Sequence, residues 1–403
     1  MAEAGLAAQA LEQVDCALPA INARPAANLL RGRAAWAQGQ AGAGRLRLDR
    51  AGRLGTAEQR MDARLSTLEA GVAHGAIAPA AALRQLDAIR FAWRGGTIER
   101  RALALTMRLG TEQHDRARAL AAGATLFRYF ELGSGSGATL AQLQAEFAKA
   151  LAPDGGMPLD KAAGLFWDYH DLAPAGAEGD LLVLRLAERL QAAGLYGRAA
   201  ELLRYQLARR AQDVAKGPLS VRVASLYILA GRPDRAVGAL RDSSGPSYPA
   251  AMLWDRHRIE AAALHLLGRT SEALAVLQDV PDGKRIQGEI LWQKQDWTGL
   301  VASDTADLPG PGALNPVEQT LVLRHAIGLA MLGREAALAG LKARYGASFA
   351  KLPTAATFDA LTRPVDAIEP AILSKAMTAL PAATPAGPIG DLLDAGAAAK
   401  QGG

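Results

Sequence analysis

Three short columns return at one fixed interval and limit what this chain can fold into. Gly194, Gly231 and Gly268 are spaced 231−194 = 37 and 268−231 = 37. Five residues after each stands an alanine (Ala199, Ala236, Ala273), and four after that a leucine (Leu203, Leu240, Leu277). A period between about 20 and 50 residues marks stacked copies of one supersecondary unit. In the first copy Val183, Leu186, Leu190 and Ala193 recur at steps of three and four, the stripe of an amphipathic helix. Gly194 ends that helix at a place where positive φ is wanted. A second stripe, Ala199, Leu202, Leu203 and Leu207, follows at once. Each copy therefore reads as two antiparallel helices. The alanine lets two backbones cross closely, and the leucine one turn later fills the groove beside it.

Gly194, Tyr196, Ala199 and Leu203 resemble the middle of a tetratricopeptide repeat, which has a glycine, an aromatic, an alanine and a bulky residue at these spacings. The next two copies keep the glycine, alanine and leucine, with Pro233 and Thr270 in the aromatic place. The period here is 37, against about 34 for the family. Pro218, Pro246, Pro249 and Pro281 fall in the connecting loops rather than in a closing-proline column. The resemblance implies an all-α fold, an α-solenoid of antiparallel helix hairpins in a TPR-like superhelix. The stretch 158–370 is also similar to the C-terminal helical region of large uncharacterised alphaproteobacterial TPR proteins, in which a membrane anchor often lies upstream. That similarity implies no activity and no catalytic residue.

Away from the three copies the pattern loosens. Residues 1–56 read as an N-terminal helical or poorly ordered segment, with a helix over 26–38 and a glycine- and arginine-rich link over 39–55. Residues 57–151 read as helical hairpins without the repeat columns. The run Gly133–Gly137 lacks the Gly-Lys-Ser/Thr ending of a phosphate loop and reads as a flexible connector. The stretch 152–370 reads as the repeat array with capping helices over 353–380. Gln295 and Gly333 stand in the glycine column of two further units, and Asn315-Pro316-Val317-Glu318 signals a helix start. Residues 371–403, rich in Ala, Gly and Pro, read as a mostly disordered tail with a short turn over 391–399.

Composition excludes more than it suggests. The 403 residues are 50% hydrophobic and 5% aromatic, which suits close packing of Ala- and Leu-rich helices. The formal net charge is +5, too mild a balance to call for nucleic acid; the arginine-rich stretch 45–64 would be its footprint. Cys16 is the only cysteine, so no disulfide within the chain and no cysteine metal cluster is expected. Met1-Ala2-Glu3-Ala4-Gly5 has neither the basic nor the apolar region of a signal peptide, and no apolar run has the length of a membrane span. As written the chain reads as cytoplasmic; as part of a longer anchored protein it would be periplasmic or membrane-associated.

No metalloprotease, nucleophile-elbow or phosphate-loop motif occurs, and no catalytic residue, metal or cofactor is expected. Asp168, His170 and Asp171 cluster in sequence but do not share one helical face, and with Phe166 and Trp167 they read as an aromatic plug between the two halves. His265 and His325 read as core residues. Asp304 with Asp307 reads as a loop pair with no apolar pocket to raise a pKa. Two functions are left open. One is a protein-binding scaffold whose concave groove holds a partner peptide or helix, with Arg185, Arg189, Arg222, Arg258 and Arg324 facing an acidic or carboxylate-bearing peptide. The alternative is a helical-toroid hydrolase of a polysaccharide or cell-envelope polymer, which needs two carboxylates in a cleft.

Overall fold

The structure, a computed structural model, describes residues 24–153, 156–245, 247–364, 368 and 370–401. Cys16, the N-terminal residues and Pro246 lie outside the described residues. All regular structure among the described residues is helical. The chain forms two compact units, Met1–Leu182 and Val183–Gly403.

The first unit holds α1 (Pro25–Ala37), α2 (Ala41–Leu54), α3 (Ala57–Ala73), α4 (Pro79–Ala92), α5 (Gly96–Glu112), α6 (Arg116–Tyr129), α7 (Ser136–Leu151) and α8 (Leu159–Tyr169). Residues 39–55, expected as a poorly ordered link, are instead the helix α2. Its glycines serve close packing. A Cβ on Gly44 would come within 2.5 Å of the Trp36 ring, and one on Gly32 within 2.8 Å of Leu48. Glycine there permits a helix crossing that any side chain would block. Thr56 opens α3 with a capping box closed by Gln59. Arg33 and Arg101 share Asp62, and Arg101 also pairs with Glu69, so one polar network ties α1, α3 and α5. Gly133–Gly135 is a short 3-10 turn that runs into α7 rather than a flexible connector.

The second unit begins within α9 (Ala177–Ala192) and continues with α10 (Tyr196–Arg209), α11 (Lys216–Leu229), α12 (Pro233–Asp242), α13 (Ala250–Leu266), α14 (Thr270–Val276), α15 (Gly283–Gln293) and α16 (Trp297–Asp304). It closes with α17 (Pro316–Met331), α18 (Glu335–Phe349), α19 (Ala355–Leu361), α20 (Pro370–Thr378) and α21 (Pro388–Gln401). From α10 to α14 and from α15 to α20 each helix packs on the next, and α13 packs on both α11 and α15. Ala199, Ala236 and Ala273 are wholly buried, and Leu203, Leu240 and Leu277 lie beside them in the core. Gly194, Gly231, Gly268 and Gly333 take φ of 73°, 70°, 83° and 64°, and Gln295 takes 56°. The column therefore reverses the chain at every hairpin, and Gln295 holds a conformation that a side chain disfavours. Asn315 and Glu318 form the capping box of α17.

The C-terminal stretch differs most from expectation. Residues 388–401, placed in a mostly disordered tail, form α21, with Leu392 and Leu393 buried. Its alanine and glycine are what a helix needs to lie close against others. A Cβ on Gly396 would meet Ile228 and Leu266 at 2.7 Å.

Candidate functional site

The site is built where α21 and the segment leading to it lie along the first helices of the second unit. The segment starts at Pro381, whose carbonyl accepts from the Thr320 hydroxyl of α17 at 3.5 Å. The Thr384 hydroxyl then donates to Glu289 Oε2 of α15 at 2.5 Å. From α21, Asp394 accepts from the Gln293 amide at 2.7 Å, and Lys400 Nζ donates to the Leu266 carbonyl of α13 at 2.8 Å. That last bond places a cation on the C-terminal carbonyls of α13, where the helix dipole favours it. Ala399 lies against Gly231 in the turn after α11. The segment thus crosses α17, α15, α13 and α11 in descending order. Burial, then the charge of Glu289, push the Asp394 carboxyl up from its ordinary value, and the Gln293 bond opposes them.

Beneath Thr384 lies a charged cluster. Arg324 of α17 donates to Glu289 at 2.7 Å; the side chains are 12% and 1% exposed. The Arg324 guanidinium also sits 4.8 Å from the centre of the Trp292 ring. Asp304, the last residue of α16, is buried, and its Oδ2 has no hydrogen-bond partner. The sequence reading put Asp304 and Asp307 in loops without a pocket to raise a pKa; the structure corrects it for Asp304. Burial pushes the Asp304 carboxyl up to about 7, Arg324 opposing and Asp307 and Glu289 adding to the rise. The cavity at these groups measures about 10 Å³, the space of one water. It has the acids a hydrolase would need but no room there for a sugar ring.

The five groove arginines do not form one row of unpaired charges. Arg185 is exposed on α9, and Arg189 is half-buried. Arg222 reaches Glu188 at 3.4 Å. Arg258 pairs with Asp255 at 2.6 Å and donates to the Pro281 carbonyl at 3.0 Å. Arg324 is committed to Glu289. Arg222, Arg258 and Arg324 therefore hold groups of their own chain, and Arg189 too is not without a partner.

Phe166 is buried against Phe147 within the first unit, Asp171 pairs with Arg128 at 2.7 Å, and His170 Nδ1 meets the Trp167 carbonyl at 3.1 Å. His265 bonds Thr270 and Gln293, and burial pulls its pKa down. Burial lowers His325 to about 4, so it sits neutral in the core, with Nδ1 unbonded. Among the described residues no group of three His, Cys, Asp or Glu side chains converges as metal ligands would. No described helix is long and apolar enough to cross a membrane. What sequence reasoning missed is α21 as a packed element. The available signal was the spacing of Leu393, Gly396 and Lys400 at i, i+3 and i+7 on one helical face. No protein-family model matches this chain, and no curated protein matches it.

Proposed function

We propose that this chain is an interaction scaffold whose hairpins stack as a TPR-like solenoid, with the face of the first helices acting as a seat for a short amphipathic helix. One observation supports this reading above the others: that face already carries such a helix, the chain's own α21, on α11, α13 and α15. The seat is specific in three ways. It has a shallow place where only a residue without a side chain fits, at Gly396. It has an amide donor for an acid, at Gln293, and a helix C-terminus for a cation, at Leu266. A partner helix would carry the same small residue, acid and base at these spacings, as helix-in-groove ligands do. The reading rests on this seat and not on the arginine row.

A linked helix competes with a free one at an effective concentration in the millimolar range. The test therefore loosens the resident helix in the intact chain. A labelled peptide of residues 386–401 is titrated against the wild type and against Gly396→Leu, with hydrogen exchange across 388–401 read in parallel. The expected result is saturable binding to the variant and at least about tenfold weaker binding to the wild type. Fast exchange in α21 of the variant with no peptide binding would end the proposal.

A further inference from the structure

A second buried arginine of the array lacks what Arg324 has. Arg256 of α13 is 6% exposed. Its Nη1 donates to the hydroxyls of Ser220 and, at 2.9 Å, Ser243, and its Nη2 donates to the Leu240 carbonyl at 2.5 Å. Its guanidinium carbon lies 4.9 Å from the centre of the Tyr248 ring. Every one of these partners is neutral. No carboxylate oxygen stands within 4.0 Å of the guanidinium among the described residues. A guanidinium has five N–H donors and does not give up its proton in proteins. Two of the five, one on Nε and one on Nη2, have no acceptor among the described residues.

A buried charge without a counter-ion is costly, because low dielectric strengthens whatever is missing as much as what is present. Burial pulls the Arg256 guanidinium below its ordinary value, with Tyr248 and Glu260 opposing only in part. Beside it opens a cleft of about 260 Å³. Arg241 and His257 stand at this cleft with the Ser244 hydroxyl, Tyr248 and Leu253 give it apolar wall, and Glu260 is its one acid. The guanidinium groups of Arg241 and Arg256, unused donors and an apolar wall converge on a space larger than an inorganic ion needs.

We infer that this cleft is a binding site for a small organic anion, whose carboxylate or phosphate head meets the unused donors of Arg256 and whose apolar body lies on Tyr248 and Leu253. The head supplies the counter-charge that no described residue supplies within ion-pair distance. Bidentate contact suits a guanidinium and not an ammonium. The site is independent of the helix seat, since Arg256 and the residues around the cleft make none of the contacts to α21 described above.

The experiment is calorimetric titration of the whole chain with benzoate, phenyl phosphate and inorganic phosphate at constant ionic strength. Benzoate and phenyl phosphate distinguish a carboxylate from a phosphate source, and inorganic phosphate reports the head alone. At least one of the two organic probes is expected to saturate below about 10 mM. Arg256→Lys weakens it at least about tenfold, and Glu260→Gln, which removes a like charge from the cleft, tightens it about threefold. Glu260→Gln keeps the buried arginine, so it reports even if changes at Arg256 unfold the chain. Three outcomes overturn the inference: no saturation by either organic probe, binding unchanged in folded Arg256→Lys, or binding unmoved in Glu260→Gln. The first, together with a destabilised Arg256→Lys, would leave Arg256 as a clamp on the end of α12 and nothing more.

Discussion

Arg324 and Arg256 stand on first helices two hairpins apart, each over an aromatic ring, at 4.8 Å from Trp292 and 4.9 Å from Tyr248. Around Arg324 the neighbouring hairpin supplies Glu289, and the C-terminal segment adds Thr384 to the same carboxylate. Around Arg256 the neighbours are two serines, a carbonyl and a ring. The same side chain on the same kind of helix is thus a closed ion pair in one place and an open charge in the other. The difference shows that a buried arginine in a repeat is not by itself a stability device. Its partner decides whether it locks two hairpins or waits for a ligand.

The largest effect is expected from breaking the closed pair. Glu289→Leu strands Arg324 and is expected to cost about 3–5 kcal/mol in urea unfolding, and Arg324→Met added to it restores much of the loss. A double variant no better than the single would show that the pair is not where the energy lies.

Next in size is the pH dependence set by Asp304. Its folded value, about 7, lies above its ordinary 3.8, so the folded state holds the proton more tightly. Stability from this group is full below 3.8 and is lost as pH rises through about 7. His325 works in the other sense. Its folded value, about 4, lies below 6.5, so its contribution is full above 6.5 and is lost as pH falls through about 4. The two slopes oppose each other between 4 and 6.5, and that of Asp304 stands alone just above. Urea midpoints of Asp304→Asn are expected to fall less than those of the wild type between pH 6.5 and 8. Parallel curves for the two chains would contradict a buried, protonated Asp304.

A smaller change loosens one element only. Gly396→Leu overpacks the contact with Ile228 and Leu266 and is expected to weaken the seating of α21 by about 1–3 kcal/mol. Hydrogen exchange would show this as faster exchange confined to 388–401, and exchange as slow as in the wild type would mean that Gly396 is not the close contact.

Smallest is the loss from the open arginine. Arg256→Met removes three hydrogen bonds together with the buried charge that made them necessary, so about 1 kcal/mol is expected in the absence of an anion. A loss as large as that of Glu289→Leu would erase the distinction between the two arginines.

The hairpins were legible because their requirements are local. A residue of positive φ, a small residue five later and a leucine four after that describe one turn and one crossing. The same spacing occurs at Gly39, Gly44 and Leu48, where glycine replaces alanine; its glycine content suggests a link, although the segment is α2. His114 and Ala119 repeat the first two columns with a non-glycine at φ 57°. Glycine content misled in both α2 and α21, because the same residue type marks a loose chain and a tight helix contact.

From the order of residues alone come the helical class, the turn at each hairpin and the buried faces of the repeats, since each depends on neighbours within a few turns. Folding in three dimensions decided the rest. Thr384 meets Glu289 across 95 residues, Asp394 meets Gln293 across 101, and Lys400 meets Leu266 across 134. No periodicity spans such distances, and the burial that lifts Asp304 comes from helices that meet only when the hairpins pack. Which arginine finds an acid and which is left open is settled there, because a charge is partnered in space and not along the chain.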